Sequence, residues 1–292
     1  MLLHITISYW GLVYLVKLTV SIIWGLLLST YTSATSIVTE PIDGVHDQYC
    51  LDLLRAILSY DDEAHSIAHY ERSSSQNRNV AYLQNNIVDV IWIATSEEYE
   101  QRLLPIRIPL FKGLLGQRLL VINKADADAI ADVSTIADLK RFSMGQGLGW
   151  IDAEILRSNG FTVRTAFNHE QLYSMLKGNR FDALPRGLHE PWEELEHYKK
   201  DNLVVEQTLI LSYTLPMYFF VNKENQALAN LIESNFKKMI DDGAFEKYFL
   251  EHPKIRNALE KSNLSARRVI SLKNPFLPKK TPLSNDGYWY NP

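Results

Sequence analysis

Two short apolar segments, Leu119–Lys124 (LLVINK) and Tyr218–Lys223 (YFFVNK), nearly repeat each other and bracket a stretch of alternating strand and helix signals. A chain reads this way when it leaves one α/β lobe, builds a second, and returns beside its exit. Two lobes joined by adjacent strands enclose a cleft, and a cleft able to close is a ligand trap. The expected fold class is therefore α/β and two-lobed, each lobe a mostly parallel sheet flanked by helices, joined by two hinge strands. Residues 35–117 plus 218–262 form lobe 1, 118–217 form lobe 2, and 263–292 form a C-terminal strap or tail.

The 292 residues suffice for two ordinary domains, and a hydrophobic content of 46% supplies a full core, which argues against disorder. Thirty basic against thirty-four acidic residues give a net charge of −4, so neither lobe carries the basic surplus expected of a nucleic-acid binder. Lys254, Arg256, Lys261, Arg267, Arg268, Lys273, Lys279 and Lys280 form the one basic region, which reads as a solvated helix face and tail. The lone cysteine, Cys50, has helical neighbours and reads as a small core residue.

At the N-terminus, the apolar run Leu18–Leu28 is followed by the small polar residues Ser29 to Ser36. This fits an export signal over 1–34 cleaved after Ala34, and an uncleaved anchor using Ile5 to Leu28 is the rival reading. In either case the body of the chain is exported, and a membrane is met only through an uncleaved N-terminus.

Periodicity places strands at Ser36–Thr39, His65–Tyr70, Val88–Ile93, Phe142–Met144, Phe181–Leu184 and Val204–Leu211. Helices are expected from Cys50 to Leu58, Asn77–Gln84, Ile151–Asn159, after Asn168, Glu190–Lys200, and from Leu228 to Gly243. Thr95 to Gln101 reads as a polar elbow, and Pro105–Pro109 as extended chain because residues before proline disfavour helix.

Ligands of open parallel sheets gather at the carboxyl ends of strands. Three such places carry suitable residues. After the buried strand Val88–Ile93, Trp92 is expected to join the cleft lining and the hydroxyls of Thr95 and Ser96 suit carboxylate oxygens, though Ser96 before Glu97 and Glu98 equally reads as a helix N-cap. Gly145 to Asp152 lets backbone approach a ligand; Gln146, Trp150 and Asp152 are its candidates, Trp150 stacking on the solute or packing under the loop. Its GxGxG spacing is not the dinucleotide pattern, and an Asp in the first turn would repel a phosphate while suiting an ammonium. Third, Pro185 is expected to stop a strand and Gly187 to relax a turn, leaving Arg186 at the sheet rim. Arg186 and Arg107 offer guanidinium forks that match a carboxylate, or form structural salt bridges. Tyr218 completes the expected lining. His65 and His69 share a face without a third ligand, and GxSxG, HExxH and CxxC motifs are absent, so neither metal nor cofactor is expected.

The order Val88–Trp92, Thr95-Ser96, Pro105–Pro109, Leu119–Lys124, Ile136–Leu139, Gly145–Gly147, Arg180–Ala183, Tyr218–Lys223 and Met239–Phe249 resembles the type 2 periplasmic solute-binding proteins. The nearest branch is family 3, the polar amino-acid-binding type, over about residues 37 to 262. The resemblance implies a periplasmic protein that closes on a small-molecule solute and delivers it to an ABC transporter permease, and a monomer is expected. It also implies a carboxylate-binding arginine three residues after a Thr or Ser. Tyr99 stands at that position here, with Arg102 one turn on, and Pro185-Arg186-Gly187 replaces the family's cleft acid. Anion recognition is thereby left to Arg107 and Arg186, and the solute is expected to be a small organic anion or amino-acid-like. The alternatives are a dehydratase-like enzyme using Asp152 and the ligand-sensing module of a membrane signalling system; a binder without catalysis is the leading expectation.

Overall fold

The structure, a computed structural model, describes residues 35–42, 45–72 and 75–290. The export signal or anchor expected over 1–34 lies outside the described residues, as does the Asp43-Gly44 turn. Among the described residues no helix is long and apolar enough to cross a membrane.

In chain order the strands are β1 (Thr35–Thr39), β2 (His65–His69), β3 (Val90–Ala94), β4 (Leu103–Ile106), β5 (Gln117–Asn123) and β6 (Met144–Gly147). They continue with β7 (Val163–Ala166), β8 (Ala183–Gly187), β9 (Leu203–Val205), β10 (Leu209–Ser212), β11 (Met217–Asn222) and β12 (Arg268–Ser271). Two mixed sheets result, β2-β1-β3-β11-β4 and β12-β10-β5-β8-β6-β7, with β9 beside β5.

The sheet interiors follow from sequence period. In β3 and β11 every second side chain faces the same way. Val90, Trp92 and Phe219 meet the core under helices Val45–Leu58 and Gln226–Asp241. Ile91, Ile93, Tyr218 and Phe220 meet Val80 and Leu83 of helix Gln76–Gln84 on the other face. Covered on both sides, such strands read as continuous apolar runs. That is also why the two look-alike segments look alike. They are not the hinge pair itself: Leu119–Lys124 falls largely in β5 of the second sheet and Tyr218–Lys223 in β11 of the first. Each is the first strand laid down after a passage between sheets, and each pairs antiparallel with an inner strand.

The passages themselves link β4 to β5 and β10 to β11. They run side by side: the Tyr213 N–H donates to the Gly116 carbonyl at 3.1 Å. A Cβ on Gly116 would come within 2.0 Å of the Tyr213 carbonyl oxygen, so this approach requires glycine.

The C-terminal segment is more than a surface strap. Strand β12 extends the second sheet, parallel to β10. The chain then crosses back, its Lys273 backbone paired with the Asn159 amide, its Asn274 amide donating to the Thr214 carbonyl, and its Phe276 carbonyl accepting from Glu97 N–H. It ends against Lys112, whose ammonium donates to the Gly287 carbonyl at 2.9 Å, with Trp289 packed on Gly113 at φ +86°.

Several local expectations are corrected. The Thr95 to Gln101 elbow contains a helix, Glu97–Arg102, because the Ser96 hydroxyl caps Tyr99 N–H. Gly145 and Gly147 are strand residues between flanking strands, where a Cβ would strike the Phe181 ring and the Trp150 ring. Pro185-Arg186-Gly187 is no turn but the end of β8, since an antiparallel partner, β5, runs alongside it. The expected strand Val204–Leu211 is broken at Glu206, whose carboxylate gathers Thr208 N–H and Leu209 N–H.

Candidate functional site

The first lobe's candidates divide between two sides of β3. The Trp92 indole N–H donates to Asp47 at 2.9 Å, and its backbone N–H donates to Glu40 at 2.6 Å. Thr95, fully buried, donates to Glu100 at 2.9 Å. Arg107 places Nε 2.9 Å from the other oxygen of the same Glu100. Ser96 is spent on the helix cap. Tyr218 is buried nearby, its phenol pushed up above its ordinary range by burial and by the charge of Glu100. Thr95, Arg107 and Tyr218 thus converge on Glu100 inside one lobe. Arg107 does not present a free fork to a solute.

The second lobe's candidates form one buried network that includes residues the sequence did not single out. Arg118, at the start of β5, pairs with Asp152 and lies 3.5 Å from Glu190. Its guanidinium sits 5.7 Å from the centre of the Tyr213 ring, and the Tyr213 hydroxyl donates to Asp152 at 2.6 Å. Burial, the first influence on it, would weaken the Arg118 charge, but Asp152 reverses this and holds its pKa up. Arg186 reaches both oxygens of Glu194, with Nε at 2.8 Å and Nη2 at 2.5 Å, and Nη2 lies 3.2 Å from Glu190. Trp150 covers it, 5.1 Å from guanidinium carbon to ring centre. Glu190 also takes the Gly187 N–H at 2.5 Å. Gln146 donates to the Pro185 carbonyl at 3.1 Å, while its own amide oxygen is buried without a partner among the described residues. Arg186 therefore does not reach for a carboxylate ligand either; its carboxylates come from helix Pro191–His197 and the residue before it. Asp152, the carboxylate that catalysis would need, is committed to Arg118 and Tyr213.

The two lobes meet around this network. The Tyr99 hydroxyl, from the first lobe, donates to the Gly149 carbonyl at 3.0 Å, and Gln76 donates to the same carbonyl at 3.2 Å. Asn77 closes over Gly149 so tightly that a Cβ there would lie 2.8 Å from its side chain. Lys254 donates to Glu193 at 2.5 Å, tying helix Pro253–Ser262 to helix Pro191–His197. Tyr49 stacks on Phe111 at 4.5 Å, and Phe111 on His189 at 3.9 Å, a column of rings across the junction. Tyr99 stands where the resemblance puts a carboxylate-binding arginine, and here that position latches one lobe to the other.

His65 pairs with Asp61 at 2.5 Å. Among the described residues no group of three metal-ligating side chains converges.

Acid should act on this junction in two windows. His252 lies edge-on to Tyr49, and its Nδ1 accepts the Lys254 N–H, so the packed ring must be neutral. Burial, then Lys254, hold its pKa below the ordinary value. The folded state then binds fewer protons than the unfolded chain, and the contribution is present above about pH 6.5 and lost as pH falls below it. Glu194 is opposed by burial but held low overall by Arg186, so its contribution is present above about pH 4.3 and lost below. Melting temperature measured across this range should decline in both windows, and His252→Gln should flatten the upper one alone.

No protein-family model matches the chain, and no curated protein matches it. Solved structures do. An ancestral arginine-binding protein bound to arginine superposes with a TM-score of 0.56 at 18% identity, over 74% of this chain and 96% of that one. A Salmonella typhimurium periplasmic binding protein of high arginine specificity gives 0.58 at 15% identity, over 74% and 97%. An ancestral amino-acid-binding protein, a precursor of cyclohexadienyl dehydratase, gives 0.54 at 15%, over 79% and 97%. At such identities the likeness is one of fold: this chain has the two-lobed architecture of the amino-acid-binding periplasmic proteins.

Proposed function

We propose that this chain is an exported, periplasmic solute-binding protein that closes its lobes on a small amino-acid-like solute for an ABC transporter permease. The observation that carries the reading is the construction of the molecule. Two sheets are joined by paired passages at Gly116 and Tyr213, and polar groups of both lobes face each other beyond them. The solved neighbours that share this architecture include the substrate-binding protein of an amino acid ABC transporter.

Of the two solute classes expected from sequence, the amino-acid-like one fits better than a plain anion. Around the junction the carboxylates of Asp47, Asp152, Glu190, Glu193 and Glu194 outnumber Arg118, Arg186 and Lys254. A solute with a cationic end suits that balance. The buried Gln146 amide oxygen and Arg118 Nε, both without partners among the described residues, would match a donor and an acceptor on one small molecule.

The test is native mass spectrometry of protein purified from the export compartment without denaturation. A stoichiometric small-molecule adduct, released unchanged on unfolding, is the expected result. A bare polypeptide mass, together with no rise in melting temperature from any protein amino acid at millimolar concentration, would overturn the reading.

A further inference from the structure

The wall of the second lobe contains a cation site that is already filled. Arg186 is 3% exposed, and the groups around it are those that recognise a free guanidinium. Glu194 takes the fork in two bonds, Glu190 lies 3.2 Å from the Nη2 that Glu194 also holds, and the Trp150 ring covers the plane. The next layer fixes these partners. Tyr173 donates to Glu194 at 2.6 Å and is itself stacked on Tyr198 at 4.2 Å, and the His169 ring leans on Trp150 at 5.1 Å. A structural salt bridge needs one carboxylate, whereas this arrangement supplies two, an aromatic face and a braced second layer.

The site also sits where a solute would meet it. Trp150 follows Gly149, which the first lobe grips through Tyr99 and Gln76; Glu193, next to Glu194, is held by Lys254; and His189 is stacked under Phe111.

We propose that Arg186 is the specificity-determining residue of the interlobe face: it is a tethered guanidinium that occupies this box in cis and excludes free guanidinium-bearing solutes from it. This rests on reading the interlobe face as the solute site. A side chain anchored on β8 competes at an effective concentration of roughly millimolar or more, and a free solute meets that competition at every encounter. The charge balance explains why the occupant is held: without it Glu190 and Glu194 would face each other with Arg118 as the remaining guanidinium beside them. The solute that the native protein accepts therefore bears a compact ammonium or neutral end at this wall, not a guanidinium.

Removing the occupant should open the box to an outside one. The experiment follows the melting temperature of the wild-type chain and of Arg186→Ala in N-ethylguanidinium, with ethylammonium and sodium chloride at equal ionic strength as controls. Arg186→Ala should start well below wild type and gain about 3–6 °C at ten times the half-saturating concentration. Wild type should stay level, and neither control should reproduce the gain. Arg186→Ala/Glu190→Gln, which relieves the excess charge while keeping the acceptor to Gly187, should fold where the single variant does not and should respond in the same way. A response to N-ethylguanidinium no larger than to sodium chloride in the variants would overturn the proposal, as would an equal gain in wild type. Because the readout is the box in the variant, it stands or falls separately from whether the native protein carries a solute.

Discussion

Arg118→Ala is expected to lose about 3–5 kcal/mol of stability, the cost typical of breaking a buried ion pair by deleting one partner. In a chain of this size that is a fall in melting temperature of roughly 6–15 °C. The size of the effect comes from what is left behind. The Arg118 side chain is 3% exposed and that of Asp152 is 6% exposed, so neither charge has water to fall back on. Without Arg118, Asp152 keeps the Tyr213 hydroxyl, a donor that burial has pushed well above its ordinary pKa and that offers no charge. Glu190 loses a guanidinium neighbour at the same moment and keeps Arg186. Asp152→Asn added to Arg118→Ala should recover part of the loss, because a neutral amide costs less to bury than an unpaired carboxylate. Equal losses in the single and double variants would mean that the stem of Arg118, not its charge, does the stabilising.

Gly116→Ala should cost about 2–3 kcal/mol, the upper part of the range for overpacking a tight contact. The atom in the way is a backbone carbonyl, that of Tyr213 at 2.0 Å, and it cannot rotate aside as a side chain would. Either the two passages part, losing the Tyr213 N–H to Gly116 bond, or the strands β5 and β10 shift register around them. Gly243→Ala serves as the comparison. That glycine has φ +80° and nothing within 4 Å of a built Cβ, so its substitution reports backbone strain of about 1 kcal/mol without crowding. Chemical denaturation of both variants separates the effects; equal losses would show that the close approach of the passages is unimportant.

Much of the architecture was legible because it rests on local signals. The continuous runs of β3, β5 and β11 announce strands buried on both faces, and Ser96, Asn168 and Gly160 mark helix boundaries where caps form. Pairing was harder. The likeness of Leu119–Lys124 to Tyr218–Lys223 correctly signals a chain that passes between two sheets, but period and composition do not say which sheet a strand joins. Pro185 was misleading for the same reason: proline lacks a donor, yet β8 keeps it because its carbonyl is still used, by Gln146. The site was the least legible part. Arg186 and Asp152 were visible as charged residues at strand and helix ends, but their partners are fixed by topology, Arg118 lying far from Asp152 in sequence and beside it in space. One local signal was present. Glu190 and Glu194 stand four residues apart at the entry of helix Pro191–His197, the spacing at which side chains on a helix share a face, shortly after Arg186. Read together with Arg118 inside an apolar run, they point to compensated rather than solute-facing arginines.

Closure of the two lobes on a solute is most directly tested by pulsed electron spin resonance distances between labels on the exposed residues Arg78 and Glu170, one in each lobe, with Cys50 left buried in the core. The distance distribution should contain a longer component in the dialysed protein that shrinks toward the closed arrangement when a mixture of the protein amino acids is added. A single distance, unchanged by the mixture and by material released from the natively purified protein, would contradict the account.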